Sequence, residues 1–315
     1  LFRAISGFGE RGVPSESLLG FDTFSVRKMT QLILNAIDAA ERQLIAHAHT
    51  DSAERWLRQL VDISLKPVMG VNYITDGPWK NDIKRKVLVK LETEPGQFKR
   101  QIDATTFDQL IDIVLHPEHW AKFKDALSAA YPNGREEART FLTRLQVIRN
   151  HVAHLRPCST RQMEQALCYA NDLADSIKAH YQAIGMSREF NVPTFVSYVD
   201  SLGNTGYFEQ NEYHYRAEDL TTSMHRRLYP GDVLTAELEI DPSFDPSTYT
   251  VTWYIKTHPG DRGVGRKASI TVTEAHIGLR MEVQFKLKTT NSWHRSSSGD
   301  DDVVDLYYRV LPLPP

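Results

Sequence analysis

Apolar residues recur along this chain with two different periods, and the change of period divides it. From about residue 24 to 184 the step is three or four, as on a helix. Val26, Met29, Ile33, Ile37, Ala40 and Leu44 define a first helix, and Trp56, Leu60 and Ile63 a second. After the break VNYITDGPWKND, shorter helices fit around Val87–Leu91, Phe107–Leu115 and Trp120–Ala130. Pro132-Asn133-Gly134 reads as a turn. A long helix follows, from about Arg135 to Leu155, with Phe141, Leu145, Ile148, Val152 and Leu155 as its apolar seam. Pro157 stops it, because proline disfavours helix in the residue before it. Ser159-Thr160-Arg161-Gln162 has the form of a capping box and opens a helix with Met163, Leu167, Ala170, Leu173, Ile177 and Tyr181 on one face.

From about residue 230 the period becomes two, the signature of strands with one buried face. Leu234, Ala236, Leu238 and Ile240 alternate with polar residues. So do Tyr249, Val251, Trp253 and Ile255, and then Leu279, Met281, Val283, Phe285 and Leu287. Val304, Leu306, Tyr308 and Val310 close the series, and Trp253 reads as core. Residues 185–229 mix Gly, Asn, Pro and aromatics without a clean period; they read as a linker that packs, with an edge strand near Phe195–Tyr198. The expected fold class is α plus β: an all-α helical bundle over 22–184, the linker 185–229, and an antiparallel β-sandwich over 230–315. The sandwich resembles bacterial immunoglobulin-like domains in its architecture, without the disulfide of antibody domains.

Composition narrows the class without changing this division. At 315 residues and 41% hydrophobic, the chain is long enough for two domains and too apolar for a disordered one. No apolar run approaches the ~18 residues that cross a bilayer, so no membrane partner is expected. The opening LFRAISGFGERG lacks the apolar core of a secretion signal, and a start on leucine leaves room for a segment ahead of it. Two cysteines, Cys158 and Cys168, make no disulfide framework and point to a reducing cytoplasm. A net charge of -3 argues against a protein that coats nucleic acid, so any RNA contact is expected to be local.

The one stretch that points to a chemistry is Arg149-Asn150-His151-Val152-Ala153-His154. At 100° per residue, Asn150 and His154 lie opposite the apolar seam, together with Arg139, Thr143 and Gln146. Arg149 sits on the flank, about 140° round from His154. One ideal helix therefore does not aim both at one point, and a two-fold dimer would bring two such faces into a shared cleft. Metal-free RNA cleavage needs a base for the 2′-OH, an acid for the leaving oxygen, and positive charge on the phosphorane. Histidine suits the first two, with an unperturbed pKa of about 6.5. Arginine suits the third, with bidentate donors and a permanent charge.

The segment resembles the R-x4-6-H motif of the HEPN superfamily, with the polar residue that typically follows the arginine. WAKFKDAL, then the helix with RNHVAH, a short Pro/Ser turn and a long helix ending in Tyr181 look most like one branch. That branch occurs in a eukaryotic mRNA quality-control endoribonuclease and in many bacterial defence proteins. The resemblance covers about residues 22–184. It implies a dimerising helical bundle that cuts RNA without a metal or other cofactor, by 2′-OH attack, leaving a 2′,3′-cyclic phosphate and a 5′-OH. It carries Arg149 and His154 to the catalytic places and Asn150 to the polar place, and leaves His151 without a role. It further implies a toxin or antiphage effector whose β domain meets a protein partner or a phage component as trigger. The alternative is a catalytically inactive HEPN-like dimerisation scaffold with a partner-recognition domain.

Other polar clusters read as structural. His47-Ala48-His49 could suggest a metal pair but is expected as surface histidines at a frayed helix end, and no Cys or Asp/Glu cluster shows ligand spacing for a metal. His116 and His119 are expected to cap and pack a helix start, and WKNDIKRK to be a solvated basic loop. Asp300-Asp301-Asp302 is expected as an exposed acidic loop. The β half offers no catalytic constellation to the eye.

Overall fold

The computed structural model describes residues 36–95, 98, 100–154, 156–208, 214–222 and 227–314. The helical half contains α1 (Ala39–Met69), α2 (Tyr73–Asp76), α3 (Asn81–Thr93), α4 (Phe107–Val114), α5 (Trp120–Leu127), α6 (Arg135–Ala153), α7 (Thr160–Ala183) and α8 (Ser187–Phe190). Val26, Met29 and Ile33 of the expected first helix, and Leu155 of the α6 seam, lie outside the described residues. Among the described residues no helix is long and apolar enough to cross a membrane.

The apolar spacing puts Ala40 and Leu44 on one helix and Trp56, Leu60 and Ile63 on another; in the structure all five share α1, which is started by Asp38, whose carboxylate accepts the Glu41 N–H at 2.8 Å. The period breaks between Leu44 and Trp56 because the inward face there is polar. Thr50, Ser52 and Glu54 are all buried on it. They are tolerated because Thr50 donates to the His47 carbonyl and Glu54 meets Arg58 at 2.7 Å. His47 to Thr50 is therefore the interior of a helix and not a frayed end. Ahead of α6, Gly134 holds φ +86°, a left-handed conformation that favours glycine, and releases the chain into that helix. Ser159 and Gln162 form the expected capping box of α7, with Gln162 N–H donating to the Ser159 hydroxyl at 3.2 Å.

The main helical core gathers Trp56, Leu57 and Leu60 of α1, Phe107 and Leu110 of α4, Phe123 of α5, Leu142 and Leu145 of α6, and Leu173, Ile177 and Tyr181 of α7. A second, smaller core holds Ala46, Ile148, Val152, Cys158, Met163 and Ala166. It lies where α1, α6 and the start of α7 meet, directly under RNHVAH.

The β half has nine strands among the described residues: β1 (Phe195–Asp200), β2 (Thr205–Tyr207), β3 (Tyr215–Asp219), β4 (Val233–Ile240), β5 (Tyr249–Ile255), β6 (His258–Val264), β7 (Lys267–Thr271), β8 (Gly278–Thr289) and β9 (Asp302–Val310). They form a four-stranded sheet ordered β2-β1-β4-β7 and a five-stranded sheet ordered β3-β9-β8-β5-β6. Leu234, Leu238 and Ile270 from the first sheet share one core with Val251, Trp253, Phe285 and Leu306 from the second. Registers such as Trp253↔Phe285 and Phe285↔Val304 keep these side chains in one inward layer. Leu279 falls outside it and is 73% exposed.

Two expectations change here. The segment 185–229 carries three strands, and β1 lies between β2 and β4 instead of at an edge. The second sheet is mixed, because β3 runs parallel to β9. Strand β1 falls where a strand is expected, near Phe195–Tyr198, whereas β6 (HPGDRGV) shows no alternation at all; backbone pairing with β5 makes it a strand. Gly263 of β6 sits opposite Trp253, and a Cβ there would come within 2.7 Å of the indole ring. Gly263→Ala is expected to destabilise the fold by about 1–3 kcal/mol through this overpacking. Gly260→Ala on the same strand meets nothing within 4 Å and serves as control in thermal melts; equal melting of the two variants would refute the contact argument.

The aspartate run is not exposed: Asp301 and Asp302 are 0% exposed and Asp300 is 8%. Asp301 accepts from Thr289 N–H at 2.8 Å, the Thr289 hydroxyl at 2.6 Å, His294 Nδ1 at 3.0 Å and Arg295 N–H at 3.0 Å. Asp302 accepts the Phe195 N–H at 2.7 Å and pairs with Arg216. The SSSGDDD turn folds back over the β8–β9 end, where the Asp301 and Asp302 carboxylates take backbone N–H groups of Thr289, Arg295 and Phe195, and Asp300 takes Lys286 at 2.8 Å.

A loop of the β half packs against the helices. After β4, Asp241–Phe244 enters the helical half. Asp241 Oδ1 and the Ser52 hydroxyl hydrogen-bond at 2.5 Å, and Arg55 lies 3.4 Å from its other oxygen. The Trp56 indole donates to the Ser243 hydroxyl at 3.1 Å. Lys178 of α7 donates to the Ser243 carbonyl and lies 3.9 Å from the Phe244 ring centroid.

Candidate active site

Ile148 and Val152 anchor α6 in the small core, together with Ala46 of α1. The Gln43 amide donates to the Val152 carbonyl at 3.4 Å and Arg42 Nε to the Cys158 carbonyl at 3.1 Å, which ties α1 to both ends of the turn after α6. The helix stops at Ala153 and His154 is its C-cap. His151 gains a role here: its Nε2–H donates to the Pro157 carbonyl at 2.9 Å and closes that turn.

Arg149 turns toward α1. Its Nε and Nη2 lie 3.2 Å and 3.0 Å from one oxygen of Glu54. The other Glu54 oxygen takes Arg58 Nη2 at 2.7 Å, and Arg58 is itself held by the Ile102 and Thr105 carbonyls at 3.1 Å and 3.0 Å. Glu54 is 8% exposed, whereas the Arg149 side chain keeps 27%. A buried carboxylate shared by two guanidinium groups thus fixes the orientation of a half-exposed arginine.

On the same face of α1, His47 Nδ1 lies 3.1 Å from Asp51. The hydrogen bond to Asp51 raises the His47 pKa above the usual histidine range; burial and the charges of Arg149 and Arg55 oppose it without reversing it. His49 differs: burial lowers its pKa, and its Nδ1 meets the Asn171 amide of α7 at 3.2 Å. The positions 47, 51, 54 and 58 fall within about 60° of one another on a helix, so the column His47, Asp51, Glu54, Arg58 is written in HAHTDSAERWLR. The signal is polar periodicity, which a search for apolar periodicity passes over.

Asn150 and His154 are exposed, and among the described residues neither side chain has a hydrogen-bond partner. The three sequence-derived candidates are therefore not brought together in one chain. Arg149 serves the α1–α6 face, while Asn150 and His154 serve the outer face and end of α6.

The remaining clusters are structural. Trp79 is buried, donates to the Tyr73 carbonyl at 3.0 Å, and meets His116 edge-on and His119 at a tilt, with ring centroids 5.5 Å and 5.1 Å apart. His119 is also the N-cap residue of α5. WKNDIKRK is not a loop: it opens helix α3, where Arg85 and Lys86 both pair with Asp82 beside a cavity of about 450 Å³. In the β half, Asp305 is fully buried and holds Lys256 at 2.9 Å and Gln284 at 2.7 Å, besides Tyr215. Among the described residues, no three His, Cys, Asp or Glu side chains are placed so that they could hold a metal ion.

Residues 53–178 match the model of the Swt1-like HEPN family. The span runs from the turn of α1 that carries Glu54 to the last third of α7 and includes Arg149, Asn150 and His154; His47 and Asp51 lie just ahead of it. The match supports a HEPN-superfamily, RNase-like domain in the helical half. No curated protein and no solved structure matches the chain.

Proposed function

We propose that this protein is a metal-independent endoribonuclease that cuts single-stranded RNA by 2′-OH attack. The observation that carries the reading is Arg149. It lies inside the HEPN match, and a buried carboxylate aims it while its side chain keeps access to solvent. Solvated surface arginines have no such support. Arg149 would hold the scissile phosphate, Asn150 would bond to it or orient its neighbour, and His154 would move the proton. Because Asn150 and His154 point away from the Arg149–Glu54 pair, the reading takes a homodimer in which exposed α6 faces of two copies form the cleft. The β half, in this reading an immunoglobulin-like domain, would recognise a protein partner or phage component and release a cytoplasmic toxin or defence effector. That role rests on analogy with the family branch alone.

The test is digestion of a single-stranded RNA by purified full-length protein in EDTA, with mass analysis of the new ends. Cyclic-phosphate and 5′-OH ends are expected, with His154→Ala slower by about 10²-fold or more. Cleavage only with added metal, 3′-OH ends, or undiminished activity in His154→Ala would each overturn the reading.

The second reading is a silent HEPN-like scaffold. The Arg149–Glu54 pair favours it, since an arginine neutralised by a carboxylate attracts a phosphate less strongly. It predicts RNA that stays intact with wild type and tight binding of a protein partner.

A further inference from the structure

We infer that His47, held by Asp51, is a second proton-transfer group of the same site and acts as general acid on RNA held at Arg149. The inference rests on the ribonuclease reading and supplies the proton donor on the Arg149 side of each chain. Placing Arg149 and His154 about 140° apart leaves the arginine without an acid or base on its own face. The structure supplies one from α1. Ala46 packs against Ile148 and Val152, the residues of α6 that flank Arg149, so the next residue, His47, stands at the α1–α6 crossing. Glu54 orients Arg149 from the same helix face, two turns further on.

The chemistry of the pair assigns the role. Asp51 takes Nδ1 at 3.1 Å, so that nitrogen carries a proton and the ring orientation is set. Among the described residues Nε2 has no hydrogen-bond partner, and the side chain is 40% exposed. The carboxylate favours the imidazolium, which is an acid ready to donate from Nε2. The charged groups that face it are Asp51 and Arg55 on α1 and Arg149 on α6, and α7 approaches this stretch with the neutral Asn171. In the reaction, the 2′-OH gives its proton to the base, His154 in the dimer reading, as its oxygen bonds to phosphorus. The P–O5′ bond breaks and the 5′-oxygen takes the Nε2 proton of His47. The products are a 2′,3′-cyclic phosphate and a 5′-OH, and both imidazoles return to their starting states by exchange with water. The plainer role for His47–Asp51 is an i, i+4 helix pair, which stabilises a helix slightly and touches no substrate.

The experiment measures cleavage of a short RNA in chelator across the pH range for wild type, His47→Ala and Asp51→Asn, with circular dichroism on each variant. A second substrate carries sulfur in place of the leaving 5′-oxygen, and a thiolate leaves without a proton. His47→Ala is expected to lose about 10²-fold in kcat on ordinary RNA and to lose the limb of the profile that falls as pH rises. It should cleave the sulfur substrate within about threefold of wild type, since no acid is needed there. Asp51→Asn should move that limb to lower pH, because the imidazolium loses its carboxylate. If wild type cleaves and His47→Ala matches it in rate and profile, or the sulfur substrate does not restore cleavage, the inference is overturned and the ribonuclease reading stands. If wild type leaves RNA intact, both fall.

Discussion

Asp241→Ala is expected to lower the stability of the chain by about 3–5 kcal/mol, and the midpoint of thermal unfolding by about 6–20 °C. The side chain is fully buried between the halves, with Ser52 and Arg55 of α1 and the Ser243 N–H as its partners. Alanine would leave the Arg55 guanidinium facing a dry cavity without its counter-charge, and would free the loop that seats Ser243 and Phe244 against Trp56 and Lys178. Burial alone would raise the Asp241 pKa, but Arg55, Ser52 and Ser243 outweigh it and hold the carboxyl below its usual range. The folded-state pKa is thus depressed, so its contribution is full above the unfolded pKa and is lost as pH falls through the folded one. The gap between wild type and Asp241→Ala should accordingly close as the pH drops below about 4. Paired melts by circular dichroism at several pH values give the answer; a shift under about 2 °C at neutral pH would mean the loop merely rests on α1.

The second large effect concerns Arg149. Arg149→Ala is expected to reduce kcat/KM for RNA cleavage by about 10²–10³, the usual loss when a charge that stabilises the phosphorane is removed. Its effect on stability should be small, about 1 kcal/mol, because the arginine is partly solvated and Glu54 keeps Arg58. Glu54→Gln inverts the balance. Two guanidinium groups lose a buried carboxylate at once, and the expected loss is about 2–4 kcal/mol. Arg149 would persist but lose its aim, so activity should fall by less than in Arg149→Ala. Kinetics and chemical denaturation on both variants check the order. If Arg149→Ala is less stable than Glu54→Gln and fully active, the pair is a strut between helices and the scaffold reading prevails.

Most of the framework was legible in the chain itself. The proline stop, the Ser159–Gln162 box and the seam through Ile148 and Val152 are local signals, each set by residues a few positions apart, and α6 and α7 follow from them. Strands β4, β5, β8 and β9 follow from alternation in the same way. The continuous α1 was not legible, because Thr50, Ser52 and Glu54 look solvent-facing until their partners are known. Nor was the burial of Asp301 and Asp302, whose donors come from β1, β3 and β8 and from the turn itself.

The candidate site divides along the same line. Residue type and spacing alone marked out Arg149, Asn150 and His154, and a helical wheel was enough to set His154 apart from Arg149. That Arg149 answers to Glu54, 95 positions earlier in the chain, and that His47 stands at the same crossing, was decided only by the packing of α1 on α6. Periodicity tells which way a side chain points along its own helix, since that depends on the backbone repeat. Which charge it meets depends on what the fold brings against that face, and in the buried setting of Glu54 that choice is what gives Arg149 its direction.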